Sequence, residues 1–294
     1  MDSTPLPAAN DTGIFVVYAP AEQTAPLVFA SPHSGRDYPP DFVAASRLDP
    51  ASLRRSEDSF VDELFACAPV FGAPLIAAQF PRAFCDPNRE PYELDPRMFA
   101  GPLPVQANTR SPRVAAGLGT IARVVATGAE IYGGKLPVAE IERRVGRYYR
   151  PYHDRLRQLV DATCERFGRS LLVDCHSMPS VGGPMDRDPG SSRVDVVLGD
   201  CYGRACAPDI VQAAEDTFRS LGYRVVRNAP YAGGFTTRHY GRPAGGSHAL
   251  QIELNRALYM DEATHAKTEG FHPLAAHLET VVAALAAVSA GAAP

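Results

Sequence analysis

The stretch Leu171-Leu-Val-Asp-Cys-His-Ser-Met178 decides the fold. An apolar run of strand length, 171–173, ends in Asp174, His176 and Ser177 before Met178-Pro179 breaks the backbone. In open α/β sheets ligands gather outside the carboxyl ends of the strands, so His176 stands where chemistry is done. Two further strand-like runs end in the same way. Pro26-Leu-Val-Phe-Ala-Ser-Pro-His33 delivers a second histidine, and Ala249-Leu-Gln-Ile-Glu253 delivers a carboxylate. Together they suggest a metal site with an acid/base beside it.

Working outward, 14–18, 26–30, 74–78, 194–198 and 223–227 read as further strands. Helices are expected over 41–47, 52–67 with Ser52 as cap, 208–221 and 273–288, and over 137–167, where Pro151 should kink or split the run. Strands alternate with helices throughout. The pattern predicts one α/β domain over 14–290 around a mixed, mostly parallel sheet flanked by helices, preceded by a flexible N-terminal segment over 1–13. Residues 90–120 read as a long irregular connection of the kind that covers sites, and 231–243 as a Gly-rich loop.

Composition removes several function classes. At 45% hydrophobic and 21% charged the chain is of ordinary globular type, and a net charge of −4 leaves no basic footprint for nucleic acid or an anionic membrane. The longest apolar tract, 281–294, is shorter than the roughly 20 residues of a membrane span, and the first residues lack a secretory pattern. The six cysteines show no CxxC spacing, which suits reduced thiols in the cytoplasm. No GxGxxG or GxxxxGK[ST] phosphate motif occurs.

A hydrolytic metal site needs about three protein ligands and an open position. His33, His176 and an acidic residue can supply them. Either histidine alone is more simply read as bonding backbone at a strand end, but two of them with a strand-borne Glu favour metal. Asp174 either orients His176 or caps the turn. Arg82 and Asp86-Pro-Asn-Arg89 suit an anionic substrate or a developing oxyanion, because guanidinium binds carboxylate bidentately and Asn adds a neutral donor. The competing reading is an ion pair with Asp86 or Glu90. Glu253 falls on the opposite strand face from Leu250, Ile252 and Leu254, where a carboxylate is costly unless paired or functional. It serves either as general base and acid or in a salt bridge to Arg256 or another buried Arg. Thr237, Arg238 and His239 are candidate substrate contacts in the Gly-rich loop. Cys175 is discounted as a nucleophile, since the strand pattern buries it.

Five motifs then give a resemblance. Ser31-Pro-His-Ser-Gly35, Arg82 with Asp86-Pro-Asn-Arg89, Val173-Asp-Cys-His-Ser177, Gly233-Gly-Phe-Thr-Thr-Arg-His-Tyr-Gly241 and Gln251-Ile-Glu253 resemble, in that order, the N-formylglutamate amidohydrolase family. That family is related to the zinc carboxypeptidases and aspartoacylases. The resemblance implies a zinc-carboxypeptidase-like α/β fold, zinc on His33 and His176, Glu253 as general base and acid, Asn88 and Arg89 on the substrate carboxylate, and Arg82 on the oxyanion. Carboxypeptidases place a Glu three residues after the first His, where this chain has Arg36. The family instead has an acidic residue at the start of the next helix, matched best by Asp58, with Glu57 as the alternative. The implied activity is zinc-dependent hydrolysis of N-formyl-L-glutamate to formate and L-glutamate, as in histidine degradation. The competing expectations are a deacylase of another N-acyl amino acid or small peptide, and a non-catalytic binder of acidic metabolites on the same scaffold. The expected partner is a small anionic N-acyl amino acid, with neither nucleic acid nor membrane; the oligomeric state is left open.

Overall fold

The computed structural model describes residues 8–9, 13–184, 186 and 188–291. The expectation of a flexible segment over 1–13 lies outside them, apart from residues 8–9 and 13. An eight-stranded sheet is formed by Ala8–Ala9 (β1), Phe15–Tyr18 (β2), Leu27–Ser31 (β3), Leu75–Ala78 (β4), Ser170–Met178 (β5), Val196–Gly199 (β6), Val225–Arg227 (β7) and Ser247–Asn255 (β8). Their spatial order is β1-β2-β4-β3-β5-β8-β6-β7. The central strands β4, β3, β5 and β8 run parallel, while β2 joins β4, and β6 joins β8, antiparallel. The sheet is therefore mixed and mostly parallel, as the alternation of strands and helices predicts.

Strand alternation divides the core between two faces. Leu27, Phe29, Leu171, Val173, Cys175, Leu250, Ile252 and Leu254 share one apolar cluster with Leu278, Val281 and Leu285 of the closing helix Phe271–Ser289. That helix is long and apolar enough to span a bilayer, but here it packs its apolar side on the sheet. Val28, Ala30, Leu172 and Ala249 share the other cluster with Tyr152, Leu156 and Val160 of the helix Arg150–Phe167. On this second face the strands begin apolar and turn polar towards their carboxyl ends. Leu172 gives way to Asp174 and His176, and Ala249 to Gln251 and Glu253. Phe29 is fully buried with its ring 5.9 Å from Phe65, so Phe29→Ala should destabilise the fold by about 3–5 kcal/mol in a denaturant titration.

Three expected elements differ. The helix expected over 52–67 is broken into Pro50–Leu53, a 3₁₀ turn at Arg54–Ser56 and Val61–Leu64. Its first turn is capped by Asp49 rather than Ser52, with Ser52 N–H donating to Asp49 Oδ1 at 2.9 Å. The apolar stripe that suggests one helix serves two cores: Leu53 joins one face of the sheet, and Val61, Leu64 and Phe65 the other. Between them Glu57 is extended and Phe60 takes φ 66°, and Asp58 N–H donates to His33 O at 3.0 Å. The break brings Asp58 inward, to a buried position beside His33.

The run through Pro151 stays helical, and its α-geometry is interrupted just before the proline. It passes from an α-helix at Ala139–Arg144 through a π-helical turn at Val145–Tyr149 into Arg150–Phe167. The wider turn places Pro151 in the first turn of the following segment, where a missing N–H costs little. The Gly-rich loop expected over 231–243 contains a short helix, Phe235–Tyr240. Residues 90–120 are largely irregular, yet Leu94, Met98 and Phe99 are buried in the same cluster as Phe42 and Phe84, which anchors the segment to the core.

Candidate active site

Parallel pairing of β3 with β5 sets Ala30 beside Asp174. His33 and His176 lie three and two residues further on, and their ring centroids are 4.7 Å apart. The extended break supplies Asp58, whose Oδ2 lies 3.3 Å from His33 Nδ1 and 3.1 Å from His176 Nδ1. Each of the three is held from behind. His33 Nε2 lies 2.7 Å from Asp86 Oδ1, His176 Nε2 lies 2.9 Å from Asp174 Oδ1, and Arg256 Nη2 donates to Asp58 Oδ1 at 2.9 Å. Carboxylates behind imidazoles fix the tautomer and ring orientation that a metal ligand needs.

The residues fit a cation. His33 Nδ1 is buried with no hydrogen-bond partner. Donors about 2.0–2.1 Å from a tetrahedral ion stand about 3.3 Å apart, which is the spacing between the imidazole nitrogens and Asp58 Oδ2. His33, Asp58 and His176 can therefore hold a metal ion between them, all three buried. Burial alone would raise the Asp58 carboxyl, but the adjoining His176 and His33 and the charge of Arg82 hold it well below the usual range. Burial would likewise depress His176, but Asp174 and Asp58 raise it far above an ordinary imidazole. The positive charge these carboxylates favour is one that a cation can supply in place of a proton.

Parallel pairing of β5 with β8 puts Glu253 beside His176 and Gln251 beside Asp174. Burial pushes the Glu253 carboxyl up to about 7, with the charge of His176 opposing the rise. Gln251 Nε2 donates to Glu253 Oε1 at 2.8 Å. The expected alternative, a salt bridge from Glu253 to Arg256, does not form: Arg256 turns to Asp58 and Ser177. Among the described residues Glu253 forms no ion pair.

Glu57 is occupied elsewhere, accepting from Tyr38, Arg54 and Ser59, so the structure brings Asp58 and not Glu57 to the centre. Arg82 donates through Nη2 to Asp86 Oδ2 at 2.8 Å, and its Nη1 is 3.9 Å from Asp58 Oδ1. Its side chain keeps 22% exposure at the edge of an otherwise closed group. Arg89 donates to the carbonyls of Asn88 and Leu118, leaving Nη2 3.7 Å from Asp86; burial lowers its guanidinium to about 10.

The other expected substrate contacts divide into two groups. Asn88 and Thr237 lie behind His176, hydrogen-bonded to Asp174. Arg238 is exposed, and His239 stacks on Phe235 and lies 2.7 Å from Arg157 Nη2, so neither joins the centre. Sequence reading passes over Asp86 as the partner of His33, Arg256 as the partner of Asp58, and Gln251 as the donor to Glu253. Only Gln251 carries a signal, since a residue two positions before Glu253 must share its strand face.

A His-Asp-His group that can hold a cation, beside a buried carboxylate at the carboxyl ends of parallel strands, is an arrangement suited to an α/β hydrolase. Comparison with known sequences agrees and is more specific. The chain belongs to the N-formylglutamate amidohydrolase family, whose model matches residues 25–260. It is 30% identical over 241 residues to an N-formylglutamate deformylase of Pseudomonas putida, covering 81% of this chain and 82% of that protein. A deformylase of the same name from Pseudomonas aeruginosa is 31% identical over 242 residues, covering 81% and 83%. The crystal structure of N-formylglutamate amidohydrolase from Ralstonia eutropha JMP134 superposes with a TM-score of 0.86 at 38% identity, covering 94% of this chain and 98% of that one.

Proposed function

We propose that the protein hydrolyses N-formyl-L-glutamate to formate and L-glutamate with zinc held by His33, Asp58 and His176. The observation that carries this reading is the convergence of His33 Nδ1, Asp58 Oδ2 and His176 Nδ1 next to Glu253, in a chain of this family. Two imidazoles with one carboxylate are a donor set that suits zinc. Zinc there would supply Lewis-acid polarisation of the formyl carbonyl and activation of water.

The chain's own groups account for the rest. Glu253 takes a proton from the attacking water as the new C–O bond forms, then passes it to the departing nitrogen as the C–N bond breaks. Arg82, partly open beside the centre, donates to the oxygen on which negative charge develops. Arg89 lies on the same side, next to Asp86, where its guanidinium favours an anionic substrate. In the histidine-degradation setting that the resemblance implies, this is the release of glutamate. Six free cysteines, four of them buried, support work in a reducing cytoplasm.

The test is formate release from N-formyl-L-glutamate by metal-quantified protein before and after chelation. Chelation should abolish turnover, and one equivalent of zinc should restore it. Zinc-loaded protein that releases no formate moves the search to other N-formyl and N-acetyl amino acids. Protein that binds no metal sinks the hydrolase reading.

A further inference from the structure

Gln251 precedes Glu253 by two residues, so both side chains stand on the face of β8 that carries the centre. The orientation of its amide is fixed from behind. Gly234 N–H donates to Gln251 Oε1 at 2.7 Å, and a backbone N–H can only donate, so that end must be the carbonyl. The nitrogen end then faces Glu253 and donates to its Oε1. With one carboxylate oxygen held, rotation of the Glu253 carboxylate is restricted and Oε2 remains for the proton.

The same segment also fixes the second histidine. Thr236 N–H donates to Asn88 Oδ1 at 2.8 Å, which turns Asn88 Nδ2 towards His176 Nε2 at 2.9 Å and Asp174 Oδ2 at 3.3 Å. Thr237 Oγ1 donates to that oxygen at 3.1 Å, and Asp174 Oδ1 lies against His176 Nε2. Contact this close requires a glycine: a Cβ on Gly234 would come within 2.3 Å of Asn88 Oδ1. Four consecutive residues, 234–237, thus reach Glu253 through Gln251 and His176 through Asp174.

We propose that Gln251 is a positioning residue for Glu253, and that segment 234–237 sets the orientation of Glu253 and His176 together from one short piece of backbone. The proposal rests on Glu253 being the base of the hydrolysis above. It gives Thr237 a role behind the metal centre instead of in contact with substrate.

Gln251→Glu keeps the volume and the acceptor for Gly234 N–H, so a merely structural role survives it, and it replaces the amide donor to Glu253 by a second carboxyl that brings a like charge or a shared proton. Gln251→Leu removes both acceptor and donor. For each variant, kcat on N-formyl-L-glutamate should fall about 10- to 100-fold, with KM and zinc content within about twofold of wild type. Thr237→Val should lower zinc affinity about 10- to 100-fold, a loss that the Gln251 variants do not share. Either Gln251 variant with wild-type kcat, or a loss of kcat that merely tracks lost zinc, overturns the positioning role. Thr237→Val with wild-type zinc affinity overturns the shared control by segment 234–237. Wild-type protein inactive on N-formyl-L-glutamate overturns the functional reading instead. The Gln251 series is then judged on whichever N-acyl amino acid the wild type cleaves, and both ideas fall if it cleaves none.

Discussion

Glu253→Gln should lower kcat on N-formyl-L-glutamate by about 10²- to 10⁴-fold while zinc content stays at the wild-type level. The substitution is nearly isosteric, and the carbonyl oxygen of the introduced amide can still accept from Gln251 Nε2, so the local structure has no reason to change. A neutral amide cannot take a proton, and that capacity alone is removed. The size of the effect follows from the surroundings of Glu253. Burial raises its carboxyl to about 7, so the group is a stronger base than an exposed glutamate, and among the described residues it pairs with no arginine or lysine that would hold it ionised. A cation at His33, Asp58 and His176 would pull it down again, towards the ionised form that a base needs at neutral pH. Steady-state kinetics with metal analysis on the same preparation decide the matter. Turnover within tenfold of wild type at full zinc occupancy would show that the proton goes elsewhere.

How much of this centre is legible in the chain depends on whether a residue's role is set by its own strand or by another part of the fold. His176 and Glu253 are readable because each ends a strand-like run, and the alternation along that run already says which face it occupies. The parallel sheet is readable for the same reason: apolar runs separated by helical patterns admit few other arrangements. Asp58 is harder, since its apolar neighbours Leu53, Val61, Leu64 and Phe65 mimic one amphipathic helix. Nothing local says that they belong to opposite faces of the sheet and that the backbone between them must break. Asp86 and Arg256 read locally as partners of their sequence neighbours Arg82 and Glu253. The partners that place them at the centre, His33 and Asp58, lie 53 and 198 residues away along the chain. Thr237 and Asn88 illustrate a further limit: a motif marks residues near chemistry, but only coordinates distinguish the face that meets substrate from the layer that holds a ligand in place.

Asp58→Asn should abolish zinc retention and, with it, detectable formate release, whereas Glu57→Gln should leave both intact. The two carboxylates are adjacent in sequence and opposite in circumstance. Asp58 offers Oδ2 to both imidazoles while Arg256 holds Oδ1, so one oxygen is free to bind a cation and the other is anchored. Asparagine keeps an acceptor for Arg256, which directs its NH₂ towards the two Nδ1 atoms and presents donors where a ligand lone pair is needed. Asp58→Ala goes further, leaving the buried Arg256 guanidinium without its carboxylate, and should cost about 3–5 kcal/mol of stability. Glu57 instead spends both oxygens on Arg54, with Ser59 and Tyr38 as additional donors, and none of these touches the centre. Metal analysis and thermal unfolding of the three variants separate the effects. If Asp58→Asn retains stoichiometric zinc and Glu57→Gln loses it, the third ligand is Glu57, and the extended break between the two short helices has some purpose other than presenting a carboxylate to His33 and His176.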